Sequence, residues 1–175
     1  HPRFEPERAE VSRAALATVL EHVKLATEAG GRVDPVETSK RLPLKRVANP
    51  LGCGHMHENH YVFDAGTFPW RNEFTKHATS DGLTNDIPVS RMREWLEPYG
   101  LSTPLQNLLI LAWALLDDKE FARHGAAVAV TGADQVRNDL VLRDPVLPDQ
   151  QAWDEARSRA ATVFGVTVAD LRTAA

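Results

Sequence analysis

The sequence predicts an α+β fold, predominantly α-helical with short β-strands. Apolar residues recur at helical spacing along much of the chain, and the few β-branched or aromatic runs are two to five residues long and closed by Gly or Pro. One segment, Leu105 to Leu116, is apolar on nearly every side. Such a helix must be surrounded, so it is expected at the centre of the core. With 175 residues, 43% hydrophobic and 25% charged, the chain has enough apolar content for that core.

From Glu10 to Ala29 the residues Val11, Ala15, Leu16, Val19, Leu20 and Val23 form one stripe of a first helix, stopped by Gly30 and Gly31. Asp34, Pro35 and Glu37 supply a cap, a first-turn proline and an acidic third position, which predicts a second helix from there. Pro43 breaks or restarts it, and Pro50 with Gly52 closes it. His60 to Phe63 reads as a strand, with a turn at Gly66 and Pro69. Trp70 to Ala78 reads as a short helix. Ser90 can cap another, with Met92, Trp95 and Leu96 facing inward before Pro98 and Gly100 stop it. Thr103 and Pro104 open the apolar helix. Phe121, Ala126 to Val130 and Leu140 to Leu142 can add short strands. Pro148 and Asp149 start a last long helix with Trp153, Ala156, Ala160, Val163 and Phe164 on one face, and Thr167 with Asp170 begins a further one.

The chain is expected to be a single domain, 1–175, with a winged-helix-like part over 10–100 and a helical part over 101–175. It begins at His1, and the first periodic helix opens only about ten residues later, so it is expected to be a piece of a larger protein. No apolar run approaches the roughly 18 residues of a membrane span, no charged-then-apolar leader opens it, and its one cysteine cannot form an internal disulfide. These features predict a cytoplasmic location. A formal charge of −4 argues against tight nonspecific nucleic-acid binding by the domain as a whole.

Two clusters carry chemistry. Cys53, His55, His57 and His60 lie within eight residues. In an extended segment the first three share one face and His60 falls on the other, so zinc would find three local ligands and a fourth from His60 in a bent loop, from His77 or from water. Glu58 could then serve as base in a metal-dependent hydrolytic site. The spacing matches no established zinc motif, since a second Cys is absent and His57-Glu58-Asn59-His60 is one residue short of H-E-x-x-H. The competing reading is a Gly-rich turn with solvated imidazoles. The second cluster is Lys40, Arg41, Lys45 and Arg46, a positive helix surface that could contact DNA, joined by Arg71 and Lys76, or could be a solvated face paired with carboxylates. Trp70, Trp95, Trp113 and Trp153 stand among aliphatic residues as core anchors, and His124 beside Arg123 reads as structural.

The chain contains no G-x-x-x-x-G-K phosphate loop, no G-x-G-x-x-G after a strand and no G-x-S-x-G elbow. The ordered blocks Arg46 to Gly52, His60 to Val62, Arg93 to Leu96, Leu105 to Ala112 and Arg123 to Gly125 resemble the very large P-loop ATPases of phage-exclusion systems, PglY of Pgl and BrxC of BREX. The resemblance runs over most of the chain, including the Trp153 to Phe164 helix. It implies a non-catalytic assembly or regulatory domain that contacts other phage-defence proteins or the parent ATPase's own subunits, with ATP bound only in the parent's separate nucleotide domain. It also implies Gly, Met and Glu at positions 54, 56 and 58 without the histidines, so a metal site would be particular to this chain. No functional residue of the family carries over, because those belong to the nucleotide site.

Overall fold

In the computed structural model, which describes residues 11–83, 85–147 and 149–167, the first helix, α1 (Arg13–Glu28), starts where the Ser12 hydroxyl accepts the Ala15 N–H at 3.2 Å. Leu16, Val19, Leu20, Val23 and Ala26 form its buried stripe. The chain then turns through Gly30 and Gly31, both at positive φ, into strand β1 (Arg32–Val33). The next helix, α2 (Thr38–Pro43), begins later than the cap and proline at Asp34 and Pro35 suggest. Asp34 is held by Arg32 at 2.7 Å, and Val36 is buried with its N–H on the Asn59 carbonyl at 2.8 Å. Both ties keep this stretch extended.

Pro43 does not break the rod. It lacks an N–H, and the chain continues as a π turn (Leu44–Ala48) into α3 (Asn49–Leu51), which stops at Gly52 in the left-handed region. Leu44, Val47, Ala48 and Leu51 point into the core. Strands β2 (His55–Met56) and β3 (Tyr61–Val62) form an antiparallel hairpin, and β3 also pairs with β1, giving the order β1-β3-β2. A helix-turn-helix unit needs two helices at a steep angle joined by a short turn. Between β1 and β2 the helical residues instead run without a break from Thr38 to Leu51.

Helix α4 (Trp70–Ser80) and α5 (Val89–Leu96) flank the apolar helix α6 (Thr103–Leu116). Pro88 rather than Ser90 occupies the N-cap of α5. Every residue of α6 from Asn107 to Ala114 is buried, and α1, α4 and α5 all touch it, which makes it the centre of the core as expected. A second antiparallel sheet has the order β4-β7-β5-β6, from β4 (Ile87–Pro88), β5 (Glu120–Arg123), β6 (Ala126–Ala127) and β7 (Val141–Arg143). The β5–β6 turn uses His124 and Gly125, both at positive φ, as a two-residue hairpin favours, and that is the structural role of His124. Because β4 pairs with β7, residues on both sides of position 100 share one sheet and one apolar core. The last helix, α7 (Gln150–Phe164), is capped by Asp149, whose carboxylate accepts the Ala152 N–H at 2.8 Å. The helix expected from Thr167 and Asp170 lies outside the described residues.

The polar exception in the core is Asn107 on α6. It donates to the Ala133 carbonyl at 2.6 Å and accepts from Arg93 Nη2 at 2.7 Å, while Arg93 also donates to the Val136 carbonyl at 3.0 Å. This bridge ties α5, α6 and the 133–136 segment together. Burial lowers the Arg93 pKa, so the guanidinium depends on these acceptors. Asn107→Leu keeps the branched shape, with somewhat larger methyl groups, but leaves the partly buried Ala133 carbonyl without this donor and removes one acceptor from Arg93. We expect it to cost about 2–4 kcal/mol of stability, read as a lower urea midpoint at unchanged m-value.

Candidate functional site

The β2–β3 hairpin sets the geometry of the histidines. His55 faces Val62 and Met56 faces Tyr61, so His57 stands opposite His60, with the His57 N–H on the His60 carbonyl at 2.9 Å and Glu58 and Asn59 as a two-residue turn. Directly opposed residues of an antiparallel pair point to the same side, as do residues two apart on one strand. His55, His57 and His60 therefore share the outer face of the sheet. The parity expected for a continuous strand put His60 on the other face; the turn reverses the chain and brings it back. The rings touch in sequence, His55 to His57 with centroids 4.6 Å apart and His57 to His60 stacked at 4.4 Å and 15°. Desolvation, then the charge of Arg32 and the neighbouring His57, lowers the His60 pKa, against the pull of Asp34.

Cys53 does not join them. It is fully buried, and loss of hydration pushes its thiol pKa far above the ordinary value. Its carbonyl accepts the Tyr61 hydroxyl, which lies on the inner face of β3. Gly54 makes this approach possible: a Cβ there would sit 2.3 Å from the Tyr61 hydroxyl oxygen and 2.8 Å from the Val62 carbonyl. Asn49 completes the turn from α3 by accepting the Met56 N–H at 2.7 Å and donating to the Met56 carbonyl at 3.3 Å, as a neighbouring strand would. His77, the other distant candidate, stacks on Trp95 at 5.5 Å. Among the described residues, no set of three or more His, Cys, Asp and Glu side chains stands ready to hold a metal ion.

The basic cluster divides. Lys40 pairs with Glu21 at 3.1 Å, and Arg41 donates to the Val36 carbonyl at 2.9 Å. Lys45 and Arg46 are exposed on the π turn. Arg71 is bound to Asp117 at 2.6 Å, and the same carboxylate accepts the Trp113 indole N–H at 2.8 Å. Trp70, Trp95 and Trp113 are buried anchors as expected. Trp153 is not fully buried, because α7 has no buried residue: Val163 is 71% and Phe164 75% exposed, and Val146 ahead of the helix is 83% exposed.

A family model described as "BREX System ATPase PglY protein 5th domain" matches residues 14–114. The chain belongs to this BREX PglY family. The matched span runs from α1 nearly to the end of α6 and contains the three-stranded sheet, the histidine hairpin and the π turn, while β5 to β7 and α7 lie beyond it. No solved structure matches the chain. No helix among the described residues is long and apolar enough to cross a membrane.

His22 on α1, with Nδ1 2.9 Å from the Thr18 carbonyl and its ring edge-on to Tyr61, is the buried histidine among the described residues and is not marked out by any sequence motif. Its signal was its place in the α1 stripe, one residue before Val23. For Cys53 the sign of its pH effect follows from burial. Above about pH 8.5 the unfolded chain ionises the thiol while the folded chain keeps it protonated, so the unfolded state binds fewer protons and stability falls. We expect up to about 1.4 kcal/mol lost per pH unit between roughly pH 9 and 10, and a flatter profile for Cys53→Ala, measured by urea unfolding at each pH.

Proposed function

We propose that this chain is a non-catalytic assembly or regulatory domain of a phage-resistance ATPase, and that α7 docks on another domain of the same ATPase. The observation that carries the reading is the exposed apolar end of α7, at Val163 and Phe164. A 15-residue helix gains most of its stability from packing, and here Val163 is 71% and Phe164 75% exposed among the described residues. The family description names a fifth domain, so neighbouring domains of the same polypeptide are the nearest partners; other proteins of the defence system are the wider set. The missing phosphate loop in the sequence supports a role without nucleotide chemistry, with ATP handled elsewhere in the parent. Absence of a membrane-spanning helix among the described residues and a single buried thiol suit a cytoplasmic site of action.

Amide hydrogen exchange tests this. Residues 150–164 should exchange much more slowly in the whole ATPase than in the isolated chain, and Val163→Asp with Phe164→Asp should erase that protection while leaving the melting temperature of the isolated chain within about 2 °C. Equal exchange in both contexts would overturn docking, and saturable ATP binding to the isolated chain would overturn the non-catalytic reading.

A second reading is DNA contact from the π turn. Lys45 and Arg46 favour it, as exposed cations with no carboxylate partner among the described residues. Duplex binding measured by fluorescence anisotropy should then weaken with salt, with log K falling by about 0.9 per phosphate contact for each unit of log salt. Lys45→Glu with Arg46→Glu should remove it; binding that survives both changes would exclude this surface.

A further inference from the structure

Each of the two sheets has two free edges, and three of the four are closed to another strand. At β1 the ion pair of Arg32 and Asp34 sets charge on the edge. At β2 the Asn49 amide already takes the Met56 N–H and carbonyl. On β4, Ile87 faces Leu142 and the Val89 N–H bonds the Leu140 carbonyl, so Pro88 between them turns outward a backbone nitrogen that has no hydrogen. The fourth edge, β6, carries no such device.

Backbone register shows what β6 offers. Arg123 faces Ala126 across the two-residue turn, and the Val128 N–H bonds the Phe121 carbonyl at 2.8 Å. Residues 126 and 128 therefore turn their backbone groups toward β5, and Ala127 between them turns its N–H and carbonyl away. Ala129 has the same parity as Ala127, and among the described residues no hydrogen bond engages its backbone. Ala126, Ala127 and Ala129 are exposed and carry only a methyl group, which leaves the main chain open to approach. From Gly125 to Gly132 no residue is charged. The open stretch ends at Thr131, whose N–H donates to Gln135 Oε1 and whose carbonyl accepts Lys24 Nζ, each at 2.8 Å. An uncharged, unblocked edge of this kind is a template for a further strand.

We propose that β6 pairs with β6 of a second copy of this chain, antiparallel about a two-fold axis at Val128, joining two four-stranded sheets into one. About that axis Ala127 of each copy stands opposite Ala129 of the other, which gives two reciprocal hydrogen-bonded pairs, and Val128 stands opposite itself. The run is self-complementary, since no like charges meet across the axis. Its ends agree as well. Antiparallel pairing brings the cationic end of each strand, Arg123 beside the His124 turn, toward the acidic end of the other, at the exposed Asp134. Such an isologous contact closes on itself and leaves β6 no free edge. It supplies a partner for the assembly reading but rests on the sheet edge alone, and α7 takes no part.

The test is sedimentation equilibrium of the 175-residue chain from micromolar to millimolar concentration. A reversible dimer is expected in that range, as suits so short a contact. Ala127→Pro removes the outward N–H without touching the β5 ladder, and Ala129→Lys charges the edge. The double variant should raise the dissociation constant by about tenfold or more at unchanged circular dichroism. Val128→Cys should form a symmetric disulfide dimer under mild oxidation, because that position faces itself, and Ala127→Cys should not. The native Cys53 is buried and stays out of the reaction. Val163→Asp with Phe164→Asp should leave dimerisation unchanged. A monomer throughout, undiminished association in the edge variant, a cross-link as ready at 127 as at 128, or dissociation by the α7 changes would each overturn the strand pairing.

Discussion

Burial of α6 on every side is the constraint on which the other elements depend. Leu108, Leu109, Ile110 and Leu111 are adjacent in sequence and all at most 2% exposed, so they point in four directions around the helix and each direction needs a cover. α1, α4 and α5 supply helical cover, and the 133–136 segment closes another side. Each large side chain withdrawn from water contributes about 1.5–3 kcal/mol, which explains how such short flanking elements hold their places. The same constraint explains the placement of polar groups. Asn107 is tolerated inside because its amide is used from both ends, by Arg93 and by the Ala133 carbonyl. Trp113 can be buried because Asp117, one turn on, accepts its N–H and is itself held by Arg71.

Around this centre the sheets are small and depend on side chains to complete them. Strands of two residues cannot define a ladder alone. At β2 the missing edge is supplied by Asn49, and at the inner face Tyr61 reaches across to the Cys53 carbonyl through space that only glycine at 54 leaves open. The buried cysteine is therefore part of the floor of the hairpin, while the three histidines decorate its roof. A sheet this thin separates two chemistries that lie within eight residues of each other.

The periphery follows a different rule. Lys45 and Arg46 project from a π turn whose inner residues are buried, and α7 leaves Val163 and Phe164 mostly exposed. Membership of the BREX PglY family gives these surfaces a context, as a domain of an ATPase with other domains beside it.

The sequence by itself determined the class of fold, the central helix and most helix bounds, because an apolar stripe, a Ser or Asp cap and a terminal glycine act over one or two turns of chain. It also carried the ordered blocks that resemble the phage-exclusion ATPases, of which those from Arg46 to Ala112 lie within the matched residues 14–114 and Arg123 to Gly125 lies beyond them. Only the tertiary structure decided the rest. Parity along a strand could not foresee that a two-residue turn would return His60 to the side of His57. Proline chemistry alone could not show that the chain would absorb Pro43 by widening into a π turn. Helical spacing identified the apolar face of α7 but not whether anything lies against it, since periodicity reports which residues share a side and contact depends on what the remainder of the chain brings there.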